Sequence, residues 1–181
     1  MKEFMVAALL FICYKTEAQS QSEPNTKVGF EVDLLPYFTG GYYGSVWIGH
    51  NHVRYRAIVT RLTTPEFYVE NGFTNNRIQA YTLIADYFLK PNFEKWWVGS
   101  GFEYWKESIQ TDAKTSTAYF NNTIFTLGGG YALKFFKNFY LNPWAAFHLR
   151  IAGASEVWVS SEEYRVPELT PEISLKIGWH F

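Results

Sequence analysis

Val53-Arg54-Tyr55-Arg56-Ala57-Ile58-Val59-Thr60-Arg61 sorts its side chains by parity: Val53, Tyr55, Ala57 and Val59 alternate with Arg54 and Arg56. Successive residues of an extended chain point to opposite faces, so the stretch makes a strand with one apolar and one charged side. At helical spacing the two arginines would fall among the apolar residues. The pattern recurs in Arg77 to Leu89, where Tyr81, Leu83, Ala85, Tyr87 and Leu89 share one face and Asp86 stands on the other.

Working outward, eight such segments follow: Phe30 to Leu35, Tyr43 to Gly49, Val53 to Arg61, Arg77 to Leu89, Trp96 to Glu107, Thr123 to Phe136, Phe139 to Ile151 and Pro171 to Phe181. Their uncharged face continues through Val32, Leu34, Val46, Ile48, Trp96, Val98, Phe102, Tyr104, Phe125, Leu127, Leu141, Phe147, Ile173 and Leu175. The opposite face carries Glu31, Asp33, Arg54, Arg56, Asp86, Glu103, Glu107, His148, Arg150 and Lys176, with Trp47, Trp97, Trp105, Tyr140 and Trp144 between them. Strands this charged on one side and this apolar on the other predict an all-β fold: a closed, antiparallel, up-and-down transmembrane β-barrel of eight strands. Lipid would lie outside, and an ion network would fill a lumen too narrow for an open pore. Ile58, Ile84 and Phe88 fall on the inner parity, and Pro143, which removes a ladder donor within a strand, suggests a bulge there.

The connections alternate in length. Gly49 to His52, Lys90 to Lys95 and Lys137-Asn138 are tight, whereas Leu62 to Asn76, Ser108 to Asn122 and Ala152 to Thr170 are long and polar; the first, around Thr39-Gly40-Gly41, is short. Tight turns on the periplasmic side and longer loops outside are the habit of bacterial outer-membrane barrels, and an even strand count leaves both mature termini periplasmic. Arg61, Arg77 and Lys106 share the lipid-facing parity at the expected outer strand ends, where they are candidates for contact with lipopolysaccharide phosphates.

Composition agrees. Aromatic residues are 20% of the 181 residues, an excess suited to rings lining two membrane interfaces. The net charge of -1 offers no basic field for nucleic acid. Lys2, the apolar run Phe4 to Cys13 and the small residue Ala18 predict a cleaved signal peptide over residues 1–18, leaving 19–181 as a single barrel domain. Cys13 also admits a lipoprotein reading, against which stands Ile12, where a small residue is usual.

Ile173-Ser174-Leu175-Lys176-Ile177-Gly178-Trp179-His180-Phe181 resembles the terminal strand of outer-membrane barrels, apolar at alternate positions and ending in an aromatic residue. That resemblance implies recognition of Ile177, Trp179 and Phe181 by the barrel assembly machinery. The mature chain resembles, in architecture, the small eight-stranded OmpX-like or OmpA-barrel class of Gram-negative outer membranes. The class includes adhesins, anchors and lipid-modifying enzymes, so it implies no single function.

Candidate chemistry is sparse. His148 with Glu103 supplies a possible base and orienting carboxylate for an outer-membrane acyl transferase or deacylase, against the plainer reading of an internal ion network. His50 and His52 have spacing for a shared metal but lack a third ligand, and no metal or cofactor is expected. Gly128-Gly129-Gly130 has no following helix and suits close strand approach better than a phosphate cradle. Phe67, Tyr68, Phe73, Tyr119, Trp158 and Tyr164 in the loops favour a structural or interaction barrel, expected as a monomer, with recognition of an extracellular ligand in its loops. A soluble lipocalin-like barrel, apolar inside and charged outside, is the remaining alternative.

Overall fold

Period-two patterning becomes strand, except in the first segment, expected over Phe30 to Leu35, where the strand runs Thr26–Asp33 and Leu35 opens a helical turn whose second residue, Pro36, has its φ preset for it. The structure, a computed structural model, describes residues 26–181; the expected signal peptide lies outside them. The order is β1 (Thr26–Asp33), a single helical turn α1 (Leu35–Phe38), β2 (Tyr42–His50), β3 (Val53–Thr63), β4 (Phe73–Phe88), β5 (Lys95–Thr111), β6 (Thr117–Phe136), β7 (Phe139–Gly153), β8 (Glu156–Val159), β9 (Glu162–Arg165) and β10 (Leu169–His180). Among the described residues no helix is long and apolar enough to cross a membrane.

Each of β1 to β7 pairs antiparallel with its neighbour in sequence, β10 returns alongside β7, and Glu31↔Gly178 and Val32↔Ile177 join β10 to β1, closing an eight-stranded ring. Closure leaves no unpaired strand edge, the condition for a sheet whose outer face is apolar. The three tight turns, the start of β1 and the end of β10 share one end of the ring, called here the turn end. The longer connections share the other, the loop end.

The parity holds in three dimensions. Val46, Leu83, Phe102 and Ile173 point outward and are largely exposed, while Glu31, Arg54, Arg56, Asp86 and Lys176 are all but fully buried within the ring. This is the reverse of a soluble lipocalin-like dressing. Pro143 brings no bulge: β7 and β10 stay in continuous register through Leu175↔Pro143. Instead the β6–β7 register passes from Gly130↔Trp144 to Leu133↔Leu141 without pairing Tyr131 and Ala132, so the missing donor falls in a gap of the ladder. Inward glycines make room for rings: a Cβ on Gly130 would strike the Trp97 indole, and one on Gly178 the Tyr140 ring.

Two connections expected as loops are built differently. The Ser108 to Asn122 segment is mostly paired strand, with Ile109↔Ala118 in register. Within Ala152 to Thr170, β8 and β9 form a hairpin, Val157↔Tyr164 and Val159↔Glu162. The reason is a second apolar interior at the loop end, in which Val159, Tyr164 and Val166 pack against Phe73, Ile109 and Phe120. Phe73 and Tyr164 are therefore core residues and not contact surface, whereas Phe67, Tyr68, Tyr119 and Trp158 are exposed. Burial, with the Glu107 and Glu70 carboxylates nearby, pushes the Tyr164 phenol up to about 12, so it packs as a neutral ring.

Candidate functional site

The interior is stacked in layers. At the turn end, Trp47, Phe88, Phe93, Trp97, Tyr140 and Trp144 form an aromatic plug. Phe93 belongs to the tight turn Lys90 to Lys95; its backbone takes a positive φ of 61°, rare for a bulky residue, and its ring reaches Trp47 and Phe88 at 5.4 and 5.5 Å between centroids. A turn that looked like a plain connection thus caps the lumen.

Above the plug lies a quartet of two acids and two arginines. Arg54 donates to Glu31 at 2.9 Å and to Asp86 at 2.7 Å; Arg56 donates to Asp86 at 2.9 Å and lies 3.5 Å from Glu31. Glu31 also accepts from the Tyr140 hydroxyl and from Asn142, each at 3.0 Å. The guanidinium groups rest on rings, Arg54 at 4.9 Å from the Phe88 centroid and Arg56 at 5.0 Å from that of Trp97. Opposite charges balance two against two, which is how ions persist where water is excluded.

Other charged residues of the inner face have different partners. Lys176 enters no ion pair within 4 Å among the described residues; its ammonium sits 3.4 Å from the Trp144 ring centroid. Asp33 accepts from Ser174 Oγ and from the Leu35 N–H, tying β1 to β10 and to α1. Higher still, His148 has Nδ1 3.0 Å from Glu103 and Nε2 2.8 Å from Glu172, with Thr126 also 2.9 Å from Nδ1. Each ring nitrogen faces a carboxylate, an arrangement satisfied when both carry protons, and neither is left free to accept one from a substrate. Glu103 is further held by Thr82 at 3.0 Å and Trp105 at 2.8 Å. Glu107 accepts from Asn122 at 2.7 Å, and Arg150 turns to the carbonyls of Val166 and Pro167. A cavity of about 140 Å³ lies beneath the β8–β9 hairpin, lined by Asn76, Trp105, Glu107, Asn122, His148 and Arg150 among others.

Glu172, Thr126, Asn142 and Ser174 complete these layers, and none carried a sequence signal beyond inner parity. His50 and His52 flank the β2–β3 turn and are separately engaged, with Thr26 and with the Phe88 carbonyl. Gly128 to Gly130 lie within β6.

On the outer wall, Arg61, Arg77 and Lys106 form a one-sided patch and not a ring. Arg61, Gln79 and Lys106 stand in a single row across β3, β4 and β5, and Arg77 lies in the next row toward the loop end, between Thr63 and Ser108. Ile177, Trp179 and Phe181 line the outer side of the closing strand, with Trp179 against Phe30, Phe139 and Phe181.

These features define a class: an up-and-down antiparallel ring of eight strands, with its buried charges and aromatic rings within and an apolar wall without. Among solved structures, a major outer membrane protein from Thermus thermophilus shares this fold, with a TM-score of 0.52 and 14% identity over 87% of this chain and 100% of that one. No family model matches the chain, and no curated protein matches it.

Proposed function

We propose that this chain is an integral outer-membrane β-barrel protein of structural or interaction type, a sealed anchor that presents its loop end to the cell exterior. The carrying observation is the parity split around a closed ring: buried Arg54, Arg56, Glu31 and Asp86 inside, exposed Val46, Leu83, Phe102 and Ile173 outside. Only a hydrocarbon surround makes that dressing favourable, because in water the exposed apolar belt would drive aggregation. The likeness to a protein described as a major outer membrane protein supports the same reading. The turn end, where β1 starts and β10 ends, is periplasmic, residues 1–18 act as an export signal, and Ile177, Trp179 and Phe181 present the strand read by the assembly machinery. The plug and the ion quartet argue for anchoring and against conduction. The exposed Phe67, Tyr68, Tyr119 and Trp158 offer rigid contact area to an extracellular partner.

The test is fractionation of the native chain. It should sediment with outer membranes, resist extraction by salt or carbonate, dissolve in detergent and migrate faster on gels unheated than boiled. Recovery of folded chain in the soluble periplasmic fraction would end this reading.

A further inference from the structure

We infer that the wall formed by β3, β4 and β5 carries a binding site for one class of lipid: a phosphorylated, multiply acylated glycolipid of the outer leaflet. The inference rests on the outer-membrane reading above. Arg61 pairs in register with Gln79, and Gln79 with Lys106, so the two cations stand two strands apart, about 10 Å. Arg77 is diagonal to both, about 7–8 Å away. All three are exposed and point outward, and none has an acidic partner within 4 Å among the described residues.

The neighbours of these cations sharpen the case. The row from β2 to β6 reads Tyr42, Arg61, Gln79, Lys106, Asn121, and the next reads Thr63, Arg77, Ser108, Tyr119, with no carboxylate in either. Just toward the turn end the row is Val59, Tyr81, Tyr104 and Thr123, followed by Ala57, Leu83, Phe102 and Phe125. The outer surface therefore changes from apolar to cationic between two adjacent rows, where acyl chains give way to headgroups. Lys106 lies 5.6 Å from the Tyr81 ring centroid, and the Tyr42 hydroxyl donates to Gln79 at 3.1 Å, which holds the row in place.

Plain snorkelling would scatter cations around the rim. Here the outward positions at the loop end of β7 and β10, Leu149, Ile151, Leu169 and Pro171, include no cation. Two guanidinium forks and one ammonium spread over two rows suit two phosphates better than one, and guanidinium binds phosphate through paired hydrogen bonds. A glycolipid bearing two phosphates fits this spread, whereas a two-chain phospholipid such as phosphatidylglycerol presents one.

The test uses the folded chain in phosphatidylcholine nanodiscs, with bisphosphorylated lipid A, dephosphorylated lipid A and phosphatidylglycerol as probes, and retention read by native mass spectrometry. Bisphosphorylated lipid A should be retained preferentially, and Arg61→Gln/Arg77→Gln/Lys106→Gln should lower its retention by about tenfold or more. Lys90→Gln/Lys95→Gln/Lys137→Gln, which removes equal charge at the turn end, should leave retention unchanged. Equal retention of phosphatidylglycerol, an unaffected outer triple variant, or an equal loss in the turn-end variant overturns the site while leaving the outer-membrane reading intact. Failure of the native chain to insert would overturn both.

Discussion

The ring buries ions among its aromatic and aliphatic side chains and the cap packs an apolar cluster, although the same strands build both. Along β5 the inward residues run Glu103, Trp105, Glu107, then Ile109; the outward ones run Phe102, Tyr104, Lys106, Ser108, then Gln110. On β6, inward Thr126, Ile124 and Asn122 give way to Phe120, while outward Leu127 and Phe125 give way to Asn121. The strand and its pleat do not change, so on the outer-membrane reading proposed above the inversion records a change of surroundings. Where the outside is hydrocarbon, polar groups retreat inward and pair; where it is water, apolar groups retreat and pack. The turnover falls at the row of Arg61, Gln79, Lys106 and Asn121.

This contrast can be broken at graded positions. Asp86→Ala leaves Arg54 and Arg56 sharing Glu31, and should destabilise the ring by about 3–5 kcal/mol, seen as a lower urea midpoint in lipid vesicles. Leu83→Arg puts a charge on the apolar wall and should cost about 2–4 kcal/mol in the same assay, whereas Gln79→Arg, at the turnover row, should cost about 0–1 kcal/mol. Equal penalties at positions 79 and 83 would remove the boundary. Ile109→Val trims the cap interior and should cost about 0.5–1.5 kcal/mol, confined to the cap: protease cleavage of the loops should quicken while the ring's midpoint stays put. A matching fall in the ring midpoint would mean that the two interiors fold as one unit.

Much of the ring was legible because parity is a local property. Arg54 and Arg56 sit inside for the same reason that Tyr55 and Ala57 sit outside, and no knowledge of neighbouring strands is needed. Residues beyond the turnover row were harder to interpret. Tyr164 and Val166 do alternate with Glu163 and Arg165, but Trp158 interrupts any such pattern between Val157 and Val159, and two short strands among Ser, Glu and Arg resemble an ordinary polar loop until Phe73, Ile109 and Phe120 are seen to await them. Phe93 gave less warning still, since a lone aromatic residue in a Lys-Pro-Asn turn has no periodicity to betray it. Among the candidate catalytic residues, His148 and Glu103 do meet, but Glu172 on the far ring nitrogen turns the pair into a clasp between β5, β7 and β10.

By itself, the sequence determined the strand type, the number of strands in the ring and the face each of those strands turns to its surroundings, because these follow from a two-residue repeat and the solvent preference of each side chain. Tertiary structure alone decided which charges meet. Glu31 reaches Arg54 across 23 residues and Asn142 across 111, while Lys176 finds an indole instead of an acid. Such pairings depend on the stagger at which the ring closes and on how the enclosed rings fill it, and both are set by all eight strands together.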